Sequence, residues 1–482
     1  MPNLEKIIEF FKSEENQKRL RSDSDRYMVY NGKVKDLVRA AIQKEFLLPE
    51  TVEDMVGRII PINITQKIVN KLSQVYREAP VRRPSDLNDA DQESLDFYVN
   101  ETNFNRIMKN ANRMFKLHKH VCLEPYVCSN GIPSMRVLPS QTYTPFSDDP
   151  IDPKKPTAFL KHIKMDQDAT KQIHEYWTNE EHLIINGNGE VLFDEMLKMN
   201  NPDGINPYGV IPFVYIKDSD NELIPIQDDD LISMQLAINL LLTDLAFATK
   251  YQSWSIFYLI GIQNQKISFN PNSVITLDHA PGTEKPEIGT IKPELDSDAM
   301  LRQVEALVAM LLTTKSLSVG SVSGQLDAKN PASGIAKVLD ESETTEERKD
   351  QVAFFEVAEK DFWFNFAHKI LPVWTSAGII DPSYVMPFTE PFELSIIFPD
   401  FKPMIGEKDK VELLKAKLDA GFISFRMAIK ELYPNISDLE LDSYVAELRK
   451  EKLDNMQFFQ NNIQQVEETE EEEEPIDGDS EA

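Results

Sequence analysis

His118, His120 and Cys122 alternate along the chain, with Cys128 close behind. On a strand the three alternating side chains would share one face and offer the nitrogen and sulfur donors that hold zinc. The spacing fits none of the usual zinc patterns, because neither C-x-x-C nor H-x-x-x-H occurs there, and a partly exposed strand edge is the plainer reading. Asp228, Asp229 and Asp230 form a second cluster, just ahead of an apolar run. A metal site is the sharper reading of it, while carboxylates capping a helix amino terminus and favouring its dipole are the plainer one. No phosphate-cradling G-x-x-x-x-G-K-[ST] loop is present, and Gly261 to Lys266 lacks the second glycine. A G-x-S-x-G elbow is also absent, and the seven histidines form no base-and-nucleophile pattern. Carboxylates such as those from Glu341 to Lys349 lie beside Lys or Arg on what read as helical faces, where solvation and i,i+4 pairing explain them. The residues therefore predict no enzyme, no cofactor and no bound metal.

A chain of 482 residues with 41% hydrophobic content has enough apolar side chains for a substantial core and for more than one domain or subdomain. Its formal net charge of −29 argues against a conventional nucleic-acid binder, which neutralises phosphates with Lys and Arg. An acidic surface repels DNA, and a protein past which DNA must slide can use that repulsion. Two cysteines are too few for a disulfide framework and suit a reducing compartment. Met1 to Arg21 reads as a charged amphipathic segment and not as an export signal. Leu231 to Ile262 is interrupted by Gln235, Asn239, Asp244 and Lys250, so it reads as a soluble helix and not as a membrane span.

The elements that would carry these residues follow from periodicity. Spacings of three and four make the first ~100 residues helical, including Ile64 to Tyr76 and a single helix from Asn88 to Lys119. Short alternating runs between Val121 and Phe193, separated by Gly, Asn, Asp and Pro turns, predict one inserted antiparallel sheet. Leu231 to Ile262, helical throughout, would extend ~48 Å at about 1.5 Å per residue. A small excursion with strand character near Ser273 to Leu277 follows, and then a second helix from Asp296 to Thr314. Beyond a polar loop, a long helix from Ile335 to Leu371 carries Phe355, Ala358, Phe362, Phe366 and Ile370 on one face and ends at Pro372. A strand-like run covers Phe392 to Phe398, helices occupy Gly406 to Phe459, and the acidic segment from Glu467 reads as a disordered tail.

Taken in order, these pieces resemble the portal proteins of tailed bacteriophages. Ile60-Pro61-Ile62-Asn63 before a helix that ends at Glu78-Ala79-Pro80-Val81 is similar to the family's early segment, although Ile62 separates the Pro from the Asn. Asn206-Pro207-Tyr208-Gly209-Val210-Ile211-Pro212-Phe213 resembles its N-x-x-G-x-[IV]-P-[FV] step before a long helix. Asn330-Pro331-Ala332-Ser333-Gly334-Ile335-Ala336 looks like the small-residue step that opens a spine helix, and Leu418 to Ser424 like the L-x-x-G-x-[IV]-S turn.

The resemblance implies an α+β, mainly helical, portal-type fold with a wing of helices and antiparallel strands, a two-helix stem, a small α/β clip, a long spine helix and a helical crown. It divides the chain into N-terminal helices and wing strands at 1–225, a first stem helix at 226–262 and a clip at 263–295. A second stem helix follows at 296–317, a tunnel loop at 318–334 and the spine helix with a wing return strand at 335–405. The helical crown takes 406–465, and a disordered acidic tail 466–482. It further implies a ring of about a dozen copies around double-stranded DNA, with Ser321, Ser323, Gln325, Asp327, Lys329 and Asn330 of the tunnel loop facing the channel. The implied partners are the terminase large subunit, major capsid and scaffold proteins and a head-tail adaptor, with no membrane. The implied location is the virion's portal vertex, reached through the host cytoplasm during assembly. Another phage structural protein, minor capsid or baseplate, is the rival class, and an acidic-cluster hydrolase stands behind it.

Overall fold

The computed structural model describes residues 4–45, 49–199, 201–253, 256–260, 287–291, 296–317, 342–390, 392–399, 407–433, 436, 440–448 and 450. The chain divides into two compact units, one of Met1–Pro331 with Asp340–Asp400 and the other of Ala332–Leu339 with Phe401–Ala482. Mixed α+β structure, mainly helical with small antiparallel sheets, makes up the first.

That unit begins with α1 (Leu4–Lys12), α2 (Glu14–Tyr30), α3 (Val34–Glu45), α4 (Pro49–Val56) and α5 (Ile64–Leu72). A short strand, β1 (Val81–Pro84), leads to α6 (Asp89–Glu101) and α7 (Phe104–His118). The single helix predicted over Asn88 to Lys119 is thus two. Asn103 stands between them in the left-handed region with φ of 53°, which breaks the helical ladder and which an Asn tolerates better than most residues.

The predicted single sheet is likewise two. β2 (His120–Val127) lies between β3 (Pro133–Leu138) and β8 (Val214–Lys217), with Cys122 opposite both Leu138 and Tyr215. β4 (Tyr143–Phe146), β5 (Ala158–Lys164), β6 (Ile173–Trp177) and β7 (His182–Ile185) form a four-stranded meander. The turn after β7 needs Gly187 for room, because a Cβ there would sit 2.9 Å from the Ala169 backbone carbonyl oxygen and strike the Gln172 side chain. A small helix, α8 (Phe193–Lys198), closes this region.

Two long helices follow, α9 (Asp230–Ser253) and α10 (Ser297–Thr314), with β9 (Ile256–Ile260) and β10 (Glu287–Ile291) pairing between them. The helix predicted to reach Ile262 therefore stops at Ser253, where Ile256-Phe257-Tyr258-Leu259-Ile260 has the β-branched and aromatic content of a strand. Next, α11 (Ser342–Asn365) runs into one π-helical segment, Phe366–Ile370, and continues as α12 (Leu371–Ser376). Pro372 does not end the helix as predicted. Within a regular α-helix its ring would strike the carbonyl of His368, and the π segment just before it, in which the Leu371 N–H bonds the Phe366 carbonyl, shifts the ladder by one residue so that the chain stays helical past the proline.

β11 (Leu394–Ile397) returns to pair with β1, Val81 opposite Ile397. The main core gathers Tyr98, Phe104, Phe115, Phe355, Phe362, Trp363 and Phe366, all nearly or fully buried. Inside it, Arg82 bonds Glu359 through Nε at 2.6 Å and Nη2 at 2.9 Å, reaches Asn105 Oδ1 at 2.7 Å and lies over the Phe104 ring. Tyr76 donates its hydroxyl to the same carboxylate.

In the second unit, α13 (Glu407–Asp419) and α14 (Phe425–Leu432) are joined by the predicted turn. Gly421 takes φ of +74°, and Ser424 caps α14 by accepting from the Met427 N–H. Ile429, Leu441 and Val445 make this unit's own small core.

Removing Glu359 leaves a guanidinium buried without its counter-charge. Glu359→Ala should therefore cost about 3–5 kcal/mol of unfolding free energy. Urea titration followed by circular dichroism checks it, and Arg82→Met/Glu359→Leu together should recover much of that loss.

Candidate functional site

The architecture converges on the helix pair α9 and α10 and on the groups that fix its base. α9 is apolar around its whole circumference, from Leu231, Ile232 and Leu236 to Leu242, Leu245 and Phe247. One side packs on Val34, Val38, Ile42 and Met55 of α3 and α4, through Ile232, Leu236, Leu240 and Phe247. A second side, Leu231, Ile238 and Leu242, joins the main core together with Leu311 and Leu312 of α10. α10 begins on Asp296, whose carboxylate accepts from the Ala299 N–H at 2.9 Å.

Gln235 and Asn239, one turn apart on α9 and fully buried, are bonded to the start of α5. Gln235 Oε1 accepts from the backbone N–H groups of Ile64 at 2.8 Å and Thr65 at 3.0 Å and from the Thr65 hydroxyl at 3.2 Å. Its amide nitrogen donates to the Ile62 carbonyl at 2.6 Å. Asn239 completes the clamp, accepting from the Ile62 N–H at 3.2 Å and donating to the Ile62 carbonyl at 3.1 Å. Asn63 caps α5 by accepting from the Gln66 N–H at 3.0 Å and ties it to α2 by donating to the Val29 carbonyl at 2.7 Å. The Ile60 to Asn63 step singled out in the sequence is thus the seat of α9. Gln235 and Asn239, which in the sequence served only to argue against a membrane span, are the residues that hold it there. By length and composition alone the stretch Asp230–Lys250 is apolar enough to cross a membrane, and these two amides are committed to α5 instead.

The three aspartates at the start of α9 meet cations, and Asp230 also lies in the helix's first turn, where its charge favours the dipole. Lys315, past the end of α10, reaches Asp228 at 2.9 Å and Asp230 at 3.0 Å. Lys119 lies 3.5 Å from Asp228, and Arg26 lies 3.9 Å from Asp229 while donating to the Asp228 carbonyl. Burial pushes the Asp228 carboxyl up, but the bond and charge of Lys315, with Lys119, outweigh it and hold the group below the usual range. Burial pulls Lys315 down, and Asp228 and Asp230 more than reverse that. Beyond the helix-terminal role expected of them, the aspartates have three cationic side chains nearby and tie the start of α9 to the end of α10, to α2 and to the α7–β2 junction. Farther along, Lys250 grips Asp54 of α4 at 2.8 Å.

His120 and Cys122 alternate on β2 as expected, but His118 is not on that strand. His118 ends α7 and bonds Asp23 at 3.0 Å, His120 starts β2 and bonds the Tyr143 hydroxyl at 2.7 Å, and Cys122 is sealed in an aromatic cluster with Phe159, Trp177 and Phe213. Burial pushes the Asp23 carboxyl up, yet its bond to His118 and the charges of His120, His118 and Arg19 bring it down to about 2. Burial lowers His120 to about 3 and raises the Cys122 thiol. Among the described residues no cluster of three or more His, Cys, Asp or Glu is placed to hold a metal ion. Ser321, Ser323, Gln325, Asp327, Lys329 and Asn330 lie outside the described residues, as do the strand expected near Ser273 to Leu277 and the acidic tail. The Asn206 step is a built loop, in which Asn206 donates to the carbonyls of Thr178 at 2.7 Å and Val210 at 2.8 Å, and Trp374 donates to Tyr208 at 3.0 Å.

This arrangement holds the geometry of the helix pair. Replacing Gln235 by Leu keeps the volume but leaves two backbone N–H groups of α5 without their acceptor. The expected loss is about 2–4 kcal/mol, read as a lower urea midpoint with an unchanged denaturant slope.

A family model described as "Phage portal protein, SPP1 Gp6-like" matches residues 8–476. No curated protein matches the chain. Among solved structures, one titled "Neck of empty GTA particle computed with C6 symmetry" is similar at 12% sequence identity and a TM-score of 0.34, covering 80% of this chain and 93% of that one. With nearly its whole length accounted for by one family, the chain belongs to the SPP1 Gp6-like phage portal proteins, the connectors between a bacteriophage's head and its tail.

Proposed function

We propose that this portal protein works as a closed ring of about a dozen copies in which α9 and α10 are the stem that lines and braces the channel. The observation that carries the reading is the exposure of α9: within its apolar stretch only 33% is buried in the single chain. A helix that is apolar all round belongs in an interior. α10 also presents Leu301 and Met310 to solvent. Neighbouring copies of the same pair would cover these faces, and a head-to-tail contact of this kind closes into a ring when its rotation permits.

On this reading β9 and β10 belong to a clip at 263–295 and its flanks, α11 to the spine, and α13 and α14 to the crown. The wing consists of the N-terminal helices and the sheets around β2 and β5. Ser321, Ser323, Gln325, Asp327, Lys329 and Asn330 belong to the tunnel loop and face double-stranded DNA. With an overall charge of −29, contacts to DNA there would be weak and independent of sequence. The chain is structural and has no turnover of its own. Energy for packaging comes from the terminase large subunit docked at the clip, the place a head-tail adaptor takes later. Capsid and scaffold proteins meet the wing, no membrane takes part, and assembly proceeds in the host cytoplasm before the protein resides at the virion's portal vertex.

Met310→Asp, on the outer face of α10, should abolish rings in negative-stain images and native mass spectra while leaving the helical content of the chain unchanged. Rings formed at wild-type yield by this variant would remove the stem from the interface. Deleting Ser321 to Asn330 should leave ring assembly intact and lower the DNA packaged per particle, and loss of the ring itself would mark the loop as structural.

A further inference from the structure

Four histidines sit where α1 and α2 lie against the sheets, and two of them belong to a hydrogen-bonded chain whose proton positions can be deduced. Gln172 donates its amide nitrogen to the Asp166 carbonyl at 2.7 Å, so its Oε1 is the atom that faces His174 Nε2 at 3.2 Å. That oxygen only accepts, so His174 carries its proton on Nε2. In a neutral ring the other nitrogen then accepts, and His162 Nδ1, 3.0 Å from His174 Nδ1, must be the donor. His162 Nε2 is left as an acceptor, filled by the Thr144 hydroxyl at 3.0 Å. Thr144 Oγ1 in turn accepts from Arg19 Nη2 of α2 at 3.3 Å. With both imidazoles neutral, every bond thus runs one way, from Arg19 through Thr144, His162, His174 and Gln172 to Asp166, and each ring has one tautomer.

A second proton on the pair can be bonded only by turning the Thr144 hydroxyl to accept from both Arg19 and His162, and it then sets a positive charge on buried rings beside the Arg19 guanidinium, with no carboxylate against it. Phe11 of α1 covers both rings, with centroids 4.8 Å and 5.0 Å away, so water does not reach them from that side. Around the pair, Ile7, Ile8, Phe11 and Leu20 of α1 and α2 pack on Ala158, Leu160, Tyr176 and Ile185 of the meander.

We propose that this relay is a proton-sensitive latch: with both imidazoles neutral it holds α1 and α2 on the four-stranded sheet, and uptake of a second proton by either ring releases them. The charged and titratable groups facing it are Lys12 of α1, which reaches Asn188, Arg19 and Asp23 of α2, Tyr143 of β4, and His118 and His120 at the α7–β2 junction. None supplies a carboxylate to the His162–His174 pair, since Asp23 is engaged by His118 and Arg19. Burial, and the neighbouring His174 and Arg19 charges, push His162 well below its ordinary value, and burial lowers His174 to about 4. The sign follows from these directions. A histidine whose docked value is depressed binds fewer protons docked than released, so docking weakens as pH falls from 6.5 towards about 4. Each proton taken up raises the opening constant about tenfold per pH unit within that window.

Hydrogen exchange by mass spectrometry, corrected for the intrinsic rate and run on the full chain from pH 7 to 4.5, tests this. Peptides from α1 and α2 should lose protection about tenfold or more per unit below pH 6, while those from α11 keep theirs. Glutamine reproduces a donor and an acceptor without titrating, so His162→Gln/His174→Gln should flatten the dependence, and His368→Gln should leave it as in the wild type. Protection of α1 and α2 that does not change with pH in the wild type overturns the proposal, as does an equal loss in the double variant. If the double variant fails to fold by circular dichroism, the wild-type curve alone decides: selective loss in α1 and α2 supports the latch, and its absence rejects it.

Discussion

The backbone at the start of a helix has N–H groups with no partner inside it, and the way α5 meets that requirement governs much of this molecule. Asn63 satisfies one group from the chain itself, and Gln235 satisfies two from the second turn of α9. An amide is the cheapest polar group to bury in this setting, because its oxygen and nitrogen both find partners on the same stretch of backbone, Ile62 to Thr65. The register of α9 against the N-terminal helices is fixed by that bonding, since a shift by one residue would swing both amides off the step and bury them unpartnered. Apolar contacts alone would not discriminate so sharply, given that α9 presents similar side chains on every face.

Charge does complementary work at the same base. Lys315, Lys119 and Arg26 meet the three aspartates from three separate parts of the chain. In a protein where 80 Asp and Glu outnumber 51 Lys and Arg, collecting three cations at one place concentrates attraction at the base of two long helices. These pairs are partly exposed and individually weak. Their value lies in number and in geometry shared with the buried amides.

Much of this was legible in the sequence, for reasons that are local. The α10 boundaries, the Leu418 to Ser424 turn and most strands rest on short-range chemistry, namely caps, turn residues and periodicity, and these need no knowledge of the partner. What was not legible depended on distant residues. Whether Asp228 caps a helix or binds Lys315 is decided by a lysine far along the chain, and whether His118 joins Cys122 on a strand or Asp23 on a helix is decided by where α7 ends. The amides Gln235 and Asn239 did leave a signal, two polar residues one turn apart in an apolar helix, but their acceptors and donors could be found only after α5 was placed beside them. The break at Asn103 turned on a single backbone conformation that periodicity does not register.

The π segment at Phe366–Ile370 has a consequence for phase. Phe362, Phe366, Ile370 and Trp374 are all buried and all four residues apart, yet steps of four in an α-helix advance about 40° each around the axis. Left uncorrected, that drift would carry the stripe off the core before it reached its last member. One wider turn subtracts from the accumulated rotation, so Trp374 arrives facing inward and its indole N–H meets the Tyr208 hydroxyl. The spacing of these aromatics and the anomalous turn are therefore one device, a helix that counts by four and resets itself once.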